Sequence, residues 1–369
     1  MKKTSVTTIL GAFIIGLFVF LSLAAPGIKA LTGLDPDAQN VFSRYQKPWS
    51  RGTVSQDNRE NTIEKLIQRD PLLAQSVENS LKEKSLVKTD LSGEALFELA
   101  LMPVPEAISI LEKIDSPEAT EIKKIFHSFE LFHLFGPDEL GRDVFIRLIF
   151  GARVSMAVGI LVALMAALIG LLIGSVAGFY GGLLDTILMR TTDALLSLPL
   201  LPVMIVVAAI DLQKLPLLPT LVNAQNESIL KMILILCLFS WMTVARLVRG
   251  NILSLREQDF ILAARALGAS NFSIITRHLL PNVIGSMLVA ISLGVGESIL
   301  FEAALSFLGL GIQPPTPSWG NMLFNAQELI YQSPLLAILP GLMILLTVMS
   351  FNYLGDGLQD ALDPKARGR

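Results

Sequence analysis

Six runs of about 20 mostly apolar residues constrain this chain more than any other feature. They fall at about 7–25, 154–180, 191–210, 229–247, 283–308 and 334–354. A helix of that length matches the hydrocarbon thickness of a bilayer. Inside lipid the backbone must satisfy its own hydrogen bonds, so each run is expected to be a membrane-crossing helix. The fold class read from this is an all-α membrane protein with six transmembrane helices. Composition agrees. Hydrophobic residues make up 52% of the chain and charged residues 17%, where a soluble domain carries about 25% charged.

Several function classes drop out. A net charge of −3, with no basic stripe interleaved with aromatics, gives no basis for a nucleic-acid partner. One cysteine, Cys237, cannot form an internal disulfide. The three histidines, His127, His133 and His278, form no cluster with it, so no metal site and no cofactor is expected. No Gly-Lys pair completes a phosphate-binding loop, so ATP chemistry has to come from another chain. Gly355-Asp356 distantly suggests a membrane aspartyl protease. Tyr353 stands where that pattern needs glycine, and no His-Glu-x-x-His motif occurs.

Charge sets the expected orientation. Arg249, Arg256, Arg265 and Arg277 crowd the loop between the fourth and fifth runs, and Lys365, Arg367 and Arg369 mark the tail. Basic loops stay in the cytoplasm. Six crossings then put both termini inside, in agreement with Lys2 and Lys3. Residues 1–26 read as an amino-terminal membrane helix, an uncleaved signal anchor; the rival reading is a cleaved signal peptide. Residues 27–133 form a long outward loop. Within it, about 51–131 reads as a small inserted helical domain. Ile63, Leu66 and Ile67, and again Ile108, Leu111 and Ile114, repeat at helical spacing, and Pro71, Pro103, Pro105 and Pro117 punctuate them. Residues 134–369 hold the other five helices, with a cytoplasmic loop at 249–281. Gly170, Gly174 and Gly178 share one face of the second helix. Such a face suits close packing, either within the chain or across a dimer seam.

The cytoplasmic segment 258–281 is the most informative. Phe260 to Leu267 is rich in Ala and Leu and favours helix. Gly268 suits a left-handed C′ position, and Ser270 can cap a second helix. Pro281 is expected to break the backbone bonding before the fifth span. A short helix, a turn and another helix would project from the membrane. Ala263, Ala264 and Ala266 would let a partner approach closely, with Phe260, Ile261 and Leu267 adding apolar surface. A helix lying on the bilayer is the alternative.

Ala263-Ala264, Gly268 and Leu280-Pro281 resemble the coupling loop of permeases of ABC importers, with Leu262 where that loop often carries Glu. Asp35 to Asn40, Phe135 to Asp143 with Pro137 for Thr, Gly151 to Ser155, Glu302 to Gly311, Pro314 to Gly320 and Gly355 to Pro364 resemble the dipeptide, oligopeptide and nickel permeases. The likeness is to the second permease of their pair. It implies a type I permease fold without enzymatic activity. Docking on the ATPase would fall to Asp259, Leu262, Ala263, Ala264, Arg265, Gly268, Leu280 and Pro281. The implied partners are a second permease subunit, two ATP-binding subunits, a periplasmic or surface solute-binding protein and the lipid bilayer. The implied location is the inner (plasma) membrane, and the implied cargo is di- or oligopeptides, with nickel or another small solute as the alternative. A membrane receptor or structural protein is the competing class. The family normally has only a few residues where this chain has the insert.

Ionisable residues in a span are costly and face a cavity or a partner. Glu297 and Glu302 are therefore the candidates for lining the solute path; an interhelical hydrogen bond is the competing role, favoured for Glu302. Arg142 and Asp143 are expected to fold the outer loop onto the second helix. Trp319 reads as an interfacial anchor.

Overall fold

The computed structural model describes residues 6–40, 45, 47–54, 56–84, 94–210 and 227–362. The chain divides into two units, one of Met1–Ala25 with Leu148–Arg369 and one of Pro26–Arg147. The segment 134–147 thus falls in the second unit. The first helix, α1 (Val6–Thr32), contributes to both.

In the unit Pro26–Arg147, strand β1 (Ser50–Thr53) leads into five helices and returns as β2 (Glu130–His133). The helices are α2 (Gln56–Arg69), α3 (Pro71–Glu83), α4 (Glu94–Leu101), α5 (Val104–Leu111) and α6 (Pro117–Ser128). Their starts follow from the sequence. Asp70 accepts a hydrogen bond from the Leu73 amide at 3.1 Å and Ser116 from the Ala119 amide at 3.1 Å. A proline follows each cap, where its missing N–H costs nothing. The apolar spacing becomes a core: Ile63, Val77, Leu81, Leu99, Leu111, Ile122 and Phe126 are fully enclosed. The antiparallel ribbon, with Ser50 opposite His133 and Thr53 opposite Glu130, lies outside the sequence expectation. Four-residue strands are too short to show an alternation.

The segment 135–143 forms a turn organised by Asp138. Its carboxylate accepts from the Leu140 and Arg142 amides, each at 2.9 Å, and from Arg142 Nε at 2.7 Å. Asp143 then caps α7 (Val144–Tyr180) through the Ile146 amide at 2.8 Å and pairs with buried His133 at 2.6 Å. Arg147 Nη1 donates to the Pro36 carbonyl at 3.0 Å. Arg142 and Asp143 thereby hold the outer loop to the first turn of α7.

The other unit is a helix bundle. After α7 come α8 (Gly182–Leu196), α9 (Leu200–Ala208), α10 (Glu227–Leu255) and α11 (Asp259–Ala266). They are followed by α12 (Asn271–Ser273), a π-helical turn at Ile274–Leu279, α13 (Leu280–Phe307), α14 (Ala326–Gln332) and α15 (Leu335–Leu362). Among the described residues, five helical stretches are long and apolar enough to cross a bilayer, those of α1, α7, α10, α12 through α13, and α15. The expected third span is not one continuous helix; counted as one broken span, it brings the total to six. It is two helices, α8 and α9, bent by 85°. Pro199 lacks an N–H to continue α8 and biases the residue before it toward extended backbone, so the run splits at Ser197–Pro199.

Helix α7 uses two faces differently. Leu161, Leu164, Leu168 and Leu172, three to four residues apart, are all exposed, as a lipid-facing stripe would be. The glycine stripe meets α10. A Cβ on Gly170 would lie 2.6 Å from Val244 Cβ, one on Gly174 2.5 Å from the Ala245 carbonyl oxygen, and one on Gly178 3.0 Å from the Arg249 carbonyl oxygen. The stripe is packed within the chain. At its end, Arg249 grips Asp185 of α8 through two hydrogen bonds of 2.5 and 2.7 Å, and Arg256 reaches the Gly178 carbonyl at 3.1 Å. Gly174→Val is expected to part α7 from α10 and cost about 1–3 kcal/mol. A clearly lower melting temperature of the purified protein in detergent is the readout, and Gly250→Val, where a Cβ meets nothing within 4 Å, should melt close to the parent.

Candidate functional site

Two places carry the candidate residues: the short helix α11 with the turn after it, and a cavity among α7, α10, α13 and α15.

Helix α11 starts with extended Gln258, whose carbonyl accepts from the Ile261 and Leu262 amides at 2.9 and 3.2 Å. It ends in a Schellman turn. The Gly268 amide donates to the Arg265 carbonyl and the Ala269 amide to the Ala264 carbonyl, each at 3.0 Å. Gly268 sits at φ +84°, a conformation that costs glycine little. The Ser270 hydroxyl accepts from the Ser273 amide at 3.3 Å and caps α12. Ile261 pegs the helix down, fully buried among Val248, Ile252, Ile274, Leu279 and Val283. The opposite side is open. Asp259, Leu262, Ala263, Arg265, Ala266 and Gly268 are exposed and Ala264 is half-buried. Leu267 is 89% exposed and Phe272 77%. A helix that presents small residues flanked by exposed Leu and Phe offers apolar area that nothing among the described residues covers.

The expectation for Pro281 is corrected. The backbone does not break there. The π-helical turn Ile274–Leu279 closes first, with the Leu280 amide donating to the Ile275 carbonyl, and Pro281 occupies the first turn of α13. Widening the turn lets the chain pass the residue that has no N–H to give. The loop and the span are therefore one continuous helical path from Asn271 to Phe307. Leu280 is half-buried and Pro281 exposed at its foot.

The two glutamates differ. Glu302 is fully buried. Its carboxylate accepts from the hydroxyls of Ser306 at 2.8 Å, Ser318 at 2.9 Å and Ser155 at 3.1 Å. Ser155 Oγ also accepts from the Trp319 amide at 3.1 Å, and Ser306 Oγ from the Ile312 amide at 3.2 Å. Glu302 thus ties α7, α13 and the segment after α13 together and does not line the cavity. Trp319 is a second correction. It is fully buried, donates Nε1–H to the Leu148 carbonyl at 3.0 Å and stands edge-on to Phe18 at 5.6 Å. The Glu302 network draws the indole inward, and Gly151 leaves room for it, since a Cβ there would lie 3.1 Å from the ring.

Glu297 lines a cavity of about 510 Å³ together with Ser240, Thr243, Ser286, Ser298 and Gln359. The remaining lining is small or apolar, from α7, α10 and α13, and includes no Lys, Arg or His. Ser240, Thr243 and Gln359 escaped sequence reasoning because hydroxyls and amides in an apolar run give no periodic signal. Asp185 escaped it because its partner Arg249 lies 64 residues away.

The sequence of this chain is matched in known proteins. Residues 170–368 match the family described as binding-protein-dependent transport system inner membrane component. The chain is also 40% identical over 274 residues, 74% of its own length and 86% of theirs, to the glutathione transport system permease proteins GsiD of Escherichia coli O157:H7, Shigella sonnei and Shigella boydii serotype 4. The chain belongs to this permease family. It is a permease subunit of an ABC importer and a multi-pass inner-membrane protein, and it is not an enzyme. The type I permease fold expected from the resemblance is the fold of this family.

Glu302→Ala would strand three buried hydroxyls, at about 1–3 kcal/mol for each group left unsatisfied. The expected outcome is a permease that melts several degrees lower in detergent, with Glu302→Gln losing less because it keeps an acceptor in place.

Proposed function

We propose that this permease imports short peptides and takes its power stroke through α11. The peptide reading rests on relatives named for the transport of glutathione, itself a tripeptide. The coupling reading rests on one observation above all. A short, rigidly capped helix leaves its Ala-lined, Leu-flanked side uncovered, while its buried Ile261 locks it to the foot of a spanning helix. Asp259, Leu262, Ala263, Ala264, Arg265 and Gly268 form the docking face. Leu280 and Pro281 form the foot through which a push on α11 tilts α13. An ATP-binding chain that closes on nucleotide would pull on this face and rock the bundle between outward-open and inward-open states.

The assembly comprises this chain, a second permease subunit, two ATP-binding subunits and a solute-binding protein on the outer side. Glu297 lines the half of the solute path that this chain supplies. Both termini lie in the cytoplasm, since Arg249, Arg256, Arg265 and Arg277 hold the α10–α13 loop there. The insert at about 51–131 faces outward, toward the solute-binding protein.

Two measurements test the proposal. Membrane vesicles that carry the whole complex should accumulate labelled dipeptide only with ATP inside and binding protein outside; accumulation that needs neither would contradict it. Gly268→Pro should abolish co-purification of the ATP-binding chain. Proline cannot adopt φ +84°, and it removes the amide bonded to Arg265, so the turn that sets α11 is lost. Undiminished retention of the ATPase in that variant would remove α11 from the coupling role.

A further inference from the structure

The cavity that holds Glu297 has a definite electrostatic character. Its wall carries one carboxylate and no cation. Among the described residues Glu297 has no hydrogen-bond or ion-pair partner. That sets it apart from the acids nearest in kind. Glu302 is held by three hydroxyls, and Asp185 is held by Arg249. A carboxylate within a membrane span is costly unless water or a counter-charge reaches it.

Two of the neighbouring hydroxyls share the same sense, while Thr243, Ser286 and Gln359 complete the polar lining and can also donate. Ser240 and Ser298 donate their hydroxyl hydrogens back to the carbonyls of Leu236 and Gly294, at 2.8 and 2.7 Å. Their oxygens are left with lone pairs only. A solute in the cavity therefore meets hydrogen-bond acceptors beside a negative charge. An ammonium, with three N–H donors and no acceptor, fits such a wall. A carboxylate does not.

We infer that Glu297, with the acceptor oxygens of Ser240 and Ser298, forms a transient subsite for the cationic group of the solute, an ammonium such as a peptide's amino terminus. The inference rests on the reading of this cavity as part of the solute path. One unpaired charge in a low-dielectric wall raises the local concentration of cations and lowers that of anions. Because the site offers one charge and few fixed donors, it holds the solute weakly enough to release it.

The test does not depend on knowing the cargo. In the purified complex, Cys237→Ala removes the native thiol, and Ser286→Cys places one in the cavity beside Glu297. Its modification is timed with a trimethylammonium-ethyl and a sulfonatoethyl methanethiosulfonate, each normalised to its rate with a free thiol. The cationic reagent should react roughly tenfold faster, as one partly screened charge nearby would give. Glu297→Gln should bring the ratio close to one, and Glu297→Asp should restore most of it. A ratio that ignores Glu297→Gln, or that favours the anion, overturns the inference. Failure of the peptide-permease reading would show separately, as absent dialanine uptake by the complex without these substitutions, and would leave the reagent ratio readable.

Discussion

The structure depends on the absence of water from the hydrocarbon layer. Every backbone donor and acceptor in that layer has to be satisfied by the protein itself. This fixes helices as the only usable element, and it explains each irregularity. Where α8 stops at Leu196, three residues before Pro199, a new helix starts at Leu200 at a steep angle. Where Pro281 cannot donate, the preceding turn widens instead of opening. Where the chain leaves α13, the Glu302 carboxylate gathers three hydroxyls, and all three accept a backbone amide in turn. The departures from regular helix are paid for locally by named groups.

The same constraint separates acids that hold elements together from the one that faces a cavity. Glu302 and Asp185 are buried or half-buried and fully engaged, and both hold elements together. Glu297 lies on α13 only five residues before Glu302, yet it faces a cavity and carries no hydrogen-bond or ion-pair partner among the described residues. Its position on the helix decides this. A step of five residues turns the side chain from the packed face against α7 to the face shared by Ser240, Ser286 and Ser298. A packed face and a cavity-facing one are thereby divided between two sides of one helix, and the proposed solute path uses the second. The foot of that helix continues through the π-helical turn to the loop that carries α11.

Much of this was legible in the sequence, for a physical reason. Bilayer thickness and helical rise fix the length of an apolar run, so five of the six expected spans appear as continuous helices. Turn chemistry is equally local. Gly268 and Ser270 announce the turn and the cap, and Pro71 and Pro117 punctuate the helices of the insert. What escaped was non-local. The fate of Trp319 depends on Ser155, far away in the chain. The pairing of Arg249 with Asp185 spans 64 residues. The 85° bend between α8 and α9 turns on the surroundings of a proline that many spanning helices tolerate. The glycine stripe of α7 was readable as a packing face, but only the nearness of Val244 and Ala245 shows which helix it meets.

The central claim is that α11 is the surface through which a separate ATP-binding chain moves the membrane helices. Site-specific crosslinking from Ala264 in native membranes tests it most directly. A photoreactive side chain there should join this chain to a nucleotide-hydrolysing partner, with a yield that changes between nucleotide-free and ATP-trapped states. A crosslinker at Ala264 that captures only lipid, or a partner without nucleotide-hydrolysing activity, would contradict the account.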